Sequence, residues 1–105
     1  MRYAGIMNAF GRTVAGALRK GVAPLLKPEE AKSEYFIEAS RTHVRRQFEQ
    51  SIGRTEYTLT ENEKVKILSV PGNRDDGRFF AYVTMDKDTA PSEVAKIIES
   101  VRSMV

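Results

Sequence analysis

Arg78-Phe79-Phe80-Ala81-Tyr82-Val83-Thr84-Met85 decides the fold of this chain. Side chains alternate across a strand, so Phe79, Ala81, Val83 and Met85 share one face, while Phe80, Tyr82 and Thr84 share the other. Both faces carry bulky groups. A strand apolar on both sides belongs at the centre of a sheet that is covered on both faces, so the rest of the chain must supply neighbouring strands and helices to cover them.

Working towards the C-terminus, Asp86-Lys87-Asp88-Thr89 leads into a helix, with Thr89 as the expected cap and Pro91 in the first turn, where a missing N–H costs little. Val94, Ile97, Ile98 and Val101 form the i, i+3, i+4, i+7 stripe of a helix lying on a sheet. Towards the N-terminus, Pro71-Gly72-Asn73-Arg74-Asp75-Asp76-Gly77 reads as a loop. Before it, Glu56–Thr60 and Lys64–Ile67 alternate as strands around a turn at Glu61-Asn62-Glu63.

Residues 29–52 hold neither proline nor glycine. Phe36, Ser40, Val44, Phe48 and Ile52 recur every four residues, with Tyr35, Ile37 and Ala39 widening the apolar side. The expectation is one long helix whose Tyr35, Phe36, Val44 and Phe48 pack into the core, closed by Gly53 as a C-terminal cap. A connection with one glycine and two prolines precedes it over Lys20–Pro28. At the start of the chain, Tyr3–Met7 and Thr13–Leu18 flank Asn8-Ala9-Phe10-Gly11-Arg12, a hairpin signal in which Gly11 supplies a positive φ. The small residues of Thr13–Leu18 imply close packing against that backbone, with a helix as the expected neighbour. The order is β-β-α-β-β-β-α, an α+β chain read as a single domain over residues 1–105.

Composition narrows the functions. The 105 residues contain no cysteine, which removes disulfides, Cys-based zinc sites and thiol nucleophiles. Cysteine-free composition, the lack of an apolar stretch near the roughly 20 residues a bilayer requires, and an N-terminus without signal-peptide order lead to the expectation of a cytoplasmic protein with no membrane association. Seventeen basic and fourteen acidic side chains give a net charge of +3, with the signs interspersed. That is a solubility-grade charge rather than a phosphate-binding cluster.

Candidate chemistry is sparse. His43, the only histidine, has no partner set for a triad and reads as a surface residue. Asp75, Asp76, Asp86 and Asp88 lack the register of a calcium loop and suit turns and caps. Gly72 and Gly77 bracket a loop without a phosphate-binding pattern. No catalytic residue, metal site or cofactor is therefore expected. Arg41, Arg45 and Arg46 are the densest basic group, and Arg41 and Arg45 share a helical face that could grip a phosphate or an acidic partner. Phe80 and Tyr82 are the aromatic candidates for an association surface.

The stretch Tyr3-Ala4-Gly5-Ile6-Met7-Asn8-Ala9-Phe10-Gly11-Arg12-Thr13-Val14-Ala15-Gly16 resembles the first hairpin of roadblock-type domains. The whole chain is also similar to a family of small uncharacterised archaeal proteins, in which such a hairpin precedes a long helix with a run like Arg45-Arg46-Gln47-Phe48-Glu49 and then three strands. The roadblock resemblance implies a roadblock/profilin-like, five-stranded antiparallel sheet with helices on both faces, homodimerisation and scaffolding of small GTPases. The first roadblock helix has no counterpart before Tyr3, which would leave the sheet face bearing Phe80 and Tyr82 open to a partner. The favoured function is a non-enzymatic, self-associating regulatory scaffold. A PAS-like small-molecule sensor with a pocket lined by Phe79, Tyr82 and Met85 is the alternative, and nucleic-acid binding through the arginine helix ranks below it.

Overall fold

A computed structural model describes residues 1–72 and 78–105. The elements in order are β1 (Tyr3–Asn8), β2 (Thr13–Leu18), α1 (Pro28–Arg45), a 3-10 turn (Arg46–Phe48), α2 (Glu49–Ile52), β3 (Thr58–Glu61), β4 (Val65–Pro71), β5 (Phe79–Asp86) and α3 (Pro91–Arg102). The five strands form one sheet in the order β2-β1-β5-β4-β3, and every neighbouring pair is antiparallel. Strand β5 is central, as its doubly apolar sequence requires, with Tyr82 opposite Gly5 of β1 on one side and Ser69 of β4 on the other.

The alternation along β5 builds two cores. Ala81, Val83 and Met85 join Leu68 and Val70 of β4 beneath Val94, Ile98 and Val101 of α3. The three α3 residues belong to the expected stripe, and Ile97 packs at its margin. Phe80 and Tyr82 face the other way, joining Met7 of β1 and Ala39 of α1, with Tyr3, Tyr35 and Ile67 around them.

The β1–β2 hairpin is held by Asn8. Its Oδ1 accepts hydrogen bonds from the N–H groups of Phe10 at 2.9 Å and Arg12 at 3.0 Å, while Gly11 takes φ +80°. A Cβ at Gly11 would lie 2.7 Å from backbone atoms of Tyr35 and Phe36, so the hairpin tip abuts α1 at a distance that only glycine allows. The expectation that a helix covers β2 is corrected, because all six residues of β2 are exposed. What lies against its backbone is the Tyr3 side chain, whose hydroxyl occupies the space that a Cβ at Gly5 or Gly16 would take.

Helix α1 departs most from expectation. It begins at Pro28, with the Lys27 N–H donating to Glu30 Oε1 at 2.9 Å, and it stops at Arg45, where a 3-10 turn intervenes before α2. Gly53 ends α2, its N–H donating to the Glu49 carbonyl and its φ at +86°. The expected core residues Phe36 (60% exposed), Val44 (54%) and Phe48 point outward, as does Ile52. Helical geometry explains the reversal. Residues four apart advance about 40° round the axis, so a strict four-residue repeat from position 36 to 52 winds nearly half way around the helix. The side that meets the sheet is instead Ala31, Glu34, Tyr35, Glu38, Ala39 and Thr42, the 3-4 spacing of a straight helical face.

Two smaller expectations also change. Thr89 does not cap α3: the N-cap is Ala90, and the Thr89 Oγ1 donates back to the Asp86 carbonyl at 2.8 Å. Strand β4 continues through Val70 into Pro71, and Gly72 pairs with Phe79 through an N–H to carbonyl bond of 2.9 Å. The turn expected over residues 73–77, with Asp75, Asp76 and Gly77, lies outside the described residues.

Candidate interaction surface

Two features of α1 can contact another molecule: its outward apolar stripe and a groove between its inner face and the sheet. The outward apolar residues are Phe36, Ile37 and Val44 on α1, Phe48 in the 3-10 turn and Ile52 on α2, all exposed. The Gly11 contact sets the hairpin tip beside Phe36, and Phe10 at that tip is exposed as well. Scattered exposed apolar side chains are ordinary, but a run of large ones along consecutive elements is a surface suited to association.

The charges of α1 are polarised along its length. Glu29 and Glu30 occupy the first turn, whereas His43 and Arg45 occupy the last, an arrangement that complements the helix dipole. The arginines expected to act together have separate engagements. Arg41 reaches Glu38 at 3.7 Å, the Arg45 guanidinium sits 5.6 Å from the Phe48 ring centroid, and the Arg46 backbone N–H donates to the carbonyls of His43 and Val44. Arg41 and Arg45 do not form one clamp. Arg45 lies against the outward apolar residues through Phe48, whereas Arg41 lines the groove.

The expectation of an exposed aromatic patch at Phe80 and Tyr82 is corrected, because the two are 2% and 1% exposed. Helix α1 covers them. The pocket expected between Phe79, Tyr82 and Met85 does not form either. Tyr82 faces α1, whereas Met85 belongs to the α3 core, with Phe79 on that same side by strand alternation.

Beneath α1 lies a polar network that the sequence reading missed. The Tyr82 hydroxyl donates to Glu34 Oε1 at 3.2 Å. Tyr35 packs edge-on against Tyr82, with ring centroids 4.9 Å apart, and stacks with Tyr3 at 6.3 Å. Burial, followed by the nearby Tyr3 and Glu34, pushes the Tyr35 hydroxyl up to about 12. Burial, then the Glu34 charge, also holds the Tyr82 hydroxyl well above its ordinary value. One turn along, Glu38 is 4% exposed. Burial raises its carboxyl, opposed by Arg41 and by the hydrogen bond from Ser69 of β4. The usable signal was the 31, 34, 35, 38, 39, 42 spacing, which places two glutamates on the buried face.

Among the described residues no group of three His, Cys, Asp or Glu side chains is placed to hold a metal ion, and no helix is long and apolar enough to cross a membrane.

No protein-family model matches the sequence, and no curated protein matches it. Solved structures do. The gliding protein MglB from Thermus thermophilus superposes with a TM-score of 0.73 at 14% identity, covering 97% of this chain and 72% of that one. A roadblock/LC7 domain from Streptomyces avermitilis gives 0.65 at 13% identity, covering 97% and 82%. Profilin II of Acanthamoeba castellanii gives 0.57 at 11% identity, again covering 97% and 82%. The chain therefore has the roadblock/profilin-like fold, a five-stranded antiparallel sheet with helices on both faces.

Proposed function

We propose that this protein is a non-enzymatic regulatory interaction module that forms a homodimer through the outer face of α1. The observation that carries this reading is the exposure of Phe36, Ile37 and Val44 on α1, a helix whose opposite side is already packed on its own sheet, continued by Phe48 and Ile52 in the turn and short helix that follow. A second copy is the occupant that the charge pattern favours. In a twofold pair, each point on one helix meets its symmetry mate. Two α1 helices crossing antiparallel near their middles would set Glu29 and Glu30 of one copy towards Arg45 and Arg46 of the other. Such an interface is apolar along its centre and complementary at its ends.

The fold supports the same reading, since one of its structural neighbours is MglB with a tetrameric arrangement. A small GTPase is the further partner class that the roadblock resemblance implies, met by the surface of the assembled pair. The test is solution mass by light scattering over a concentration series. A dimer in the micromolar range is expected, and a strict monomer at the highest soluble concentration would overturn the proposal.

A further inference from the structure

The groove beneath α1 encloses about 860 Å3 and is only partly open to solvent, within the range of roughly 300–1,000 Å3 usual for small-molecule sites. Its walls include Tyr3, Tyr35, Leu18, Leu26, Val65 and Ile67, and Tyr82 forms part of its floor. The two arginines facing it each have an acidic partner, although Asp86 is shared with Arg19 at 3.5 Å. Arg2 is bound to Asp86 at 3.3 Å and to the Ala23 carbonyl at 3.1 Å, and Arg41 reaches Glu38 at 3.7 Å. Glu63 and Lys64, both exposed, bring one charge of each sign to the rim. That leaves Glu34. Its carboxylate is half-buried, is fixed by the Tyr82 hydroxyl, and has no cationic partner among the described residues.

We infer that this groove binds a small organic cation, an alkylammonium whose charged head meets Glu34 and whose apolar body lies along Leu18, Leu26 and Ile67. The aromatic walls fit the same ligand. Ring faces attract ammonium groups through their quadrupoles, and Tyr3 and Tyr35 are both half-buried and line the groove beside Glu34. The hydrogen bond from Tyr82 fixes the carboxylate in place before any ligand arrives, which limits the ordering cost of binding. An anion of the same size would meet Glu34 with like charge, and a neutral alcohol would gain only the apolar contact. This site is on the opposite side of α1 from the proposed dimer stripe, so either reading can fail without the other.

The experiment is an NMR titration of the full chain with n-butylammonium, n-butanol and butyrate, and in parallel with a short lysine-containing peptide. Saturable shifts centred on residues 34, 35 and 82 are expected with n-butylammonium, binding about tenfold tighter than n-butanol, with butyrate weakest. Glu34→Gln should reduce that preference to near unity. Ala31→Phe, which fills the groove and leaves the Glu34–Tyr82 bond intact, should abolish binding and serves as the deciding variant if Glu34→Gln does not fold. Equal binding of butanol and butylammonium, binding unaltered in either folded variant, or binding of the peptide alone would overturn the inference.

Discussion

Tyr82, on the central strand, donates its hydroxyl to Glu34 of α1 at 3.2 Å and so ties the middle of the sheet to the helix that covers it. The bond joins residues 48 apart in sequence, and it lies where Tyr82 itself is almost wholly buried. Because burial and the Glu34 charge raise the Tyr82 hydroxyl far above its ordinary value, the phenol stays protonated and remains a donor throughout the working pH range. Tyr82→Phe keeps the ring and its edge-on contact with Tyr35 but removes the donor. A loss of about 1 kcal/mol is expected, read as a midpoint shift at unchanged slope in urea denaturation. An unchanged midpoint would show that water replaces the bond at no cost.

Glu38 gives a pH signature of the opposite kind to most protein carboxylates. Burial raises it above its ordinary 4.5, so the folded state holds its proton more tightly than the unfolded state, and ionising it costs stability as pH rises. The cost is absent below the ordinary carboxylate value and complete above the raised folded one. In Glu38→Gln the amide oxygen can still accept from Ser69 while nothing ionises. The stability of Glu38→Gln relative to the parent should therefore climb with pH from 4 to 7, by about 1 kcal/mol. Asp86 is held below its ordinary value by Arg2 and loses stability as pH falls, but it does so in both proteins and cancels in the difference. A flat difference curve would mean that Arg41 compensates the buried charge fully.

Gly11→Ala should destabilise by about 2 kcal/mol or more. Its φ of +80° disfavours a side chain, and a Cβ would stand 2.7 Å from the Tyr35 and Phe36 backbone, which cannot move without lifting α1. Thermal unfolding would show the loss. Gly21, also at positive φ but with nothing near its Cβ, is the control that carries only the conformational cost, of order 1 kcal/mol.

The contrast between β5 and α1 shows what could be read from the sequence. Period-two alternation in Phe79–Met85 fixes which side chains share a face, so the central position of β5, its two cores and the covering α3 stripe all followed from local pattern. The face of α1 was not legible in the same way. Its large apolar residues suggested a buried side, but their spacing of four drifts round the helix, and the sheet beneath accepts Tyr35, Ala39 and two glutamates because Tyr82 and Ser69 supply polar partners there. Those partners lie more than 30 residues away, beyond any local signal. The burial of Phe80 and Tyr82 follows from the same cause, since their cover is a helix whose contact side had been assigned to the wrong residues.

Val44→Glu and Phe36→Glu separate association from folding. Both residues lie on the outer side of α1, more than half exposed, so a charged replacement leaves the cores untouched and should change monomer stability by no more than about 0.5 kcal/mol. In a twofold interface each substitution acts twice, placing two carboxylates in a region meant to be dry. The dimer dissociation constant should rise at least about 100-fold, by light scattering or sedimentation, with an unaltered circular dichroism spectrum. Salt gives an independent reading of the same geometry. If Glu29 and Glu30 face Arg45 and Arg46 across the axis, raising ionic strength should weaken the parent dimer, whereas a dimer held by the β2 edge would depend little on salt and would survive both substitutions.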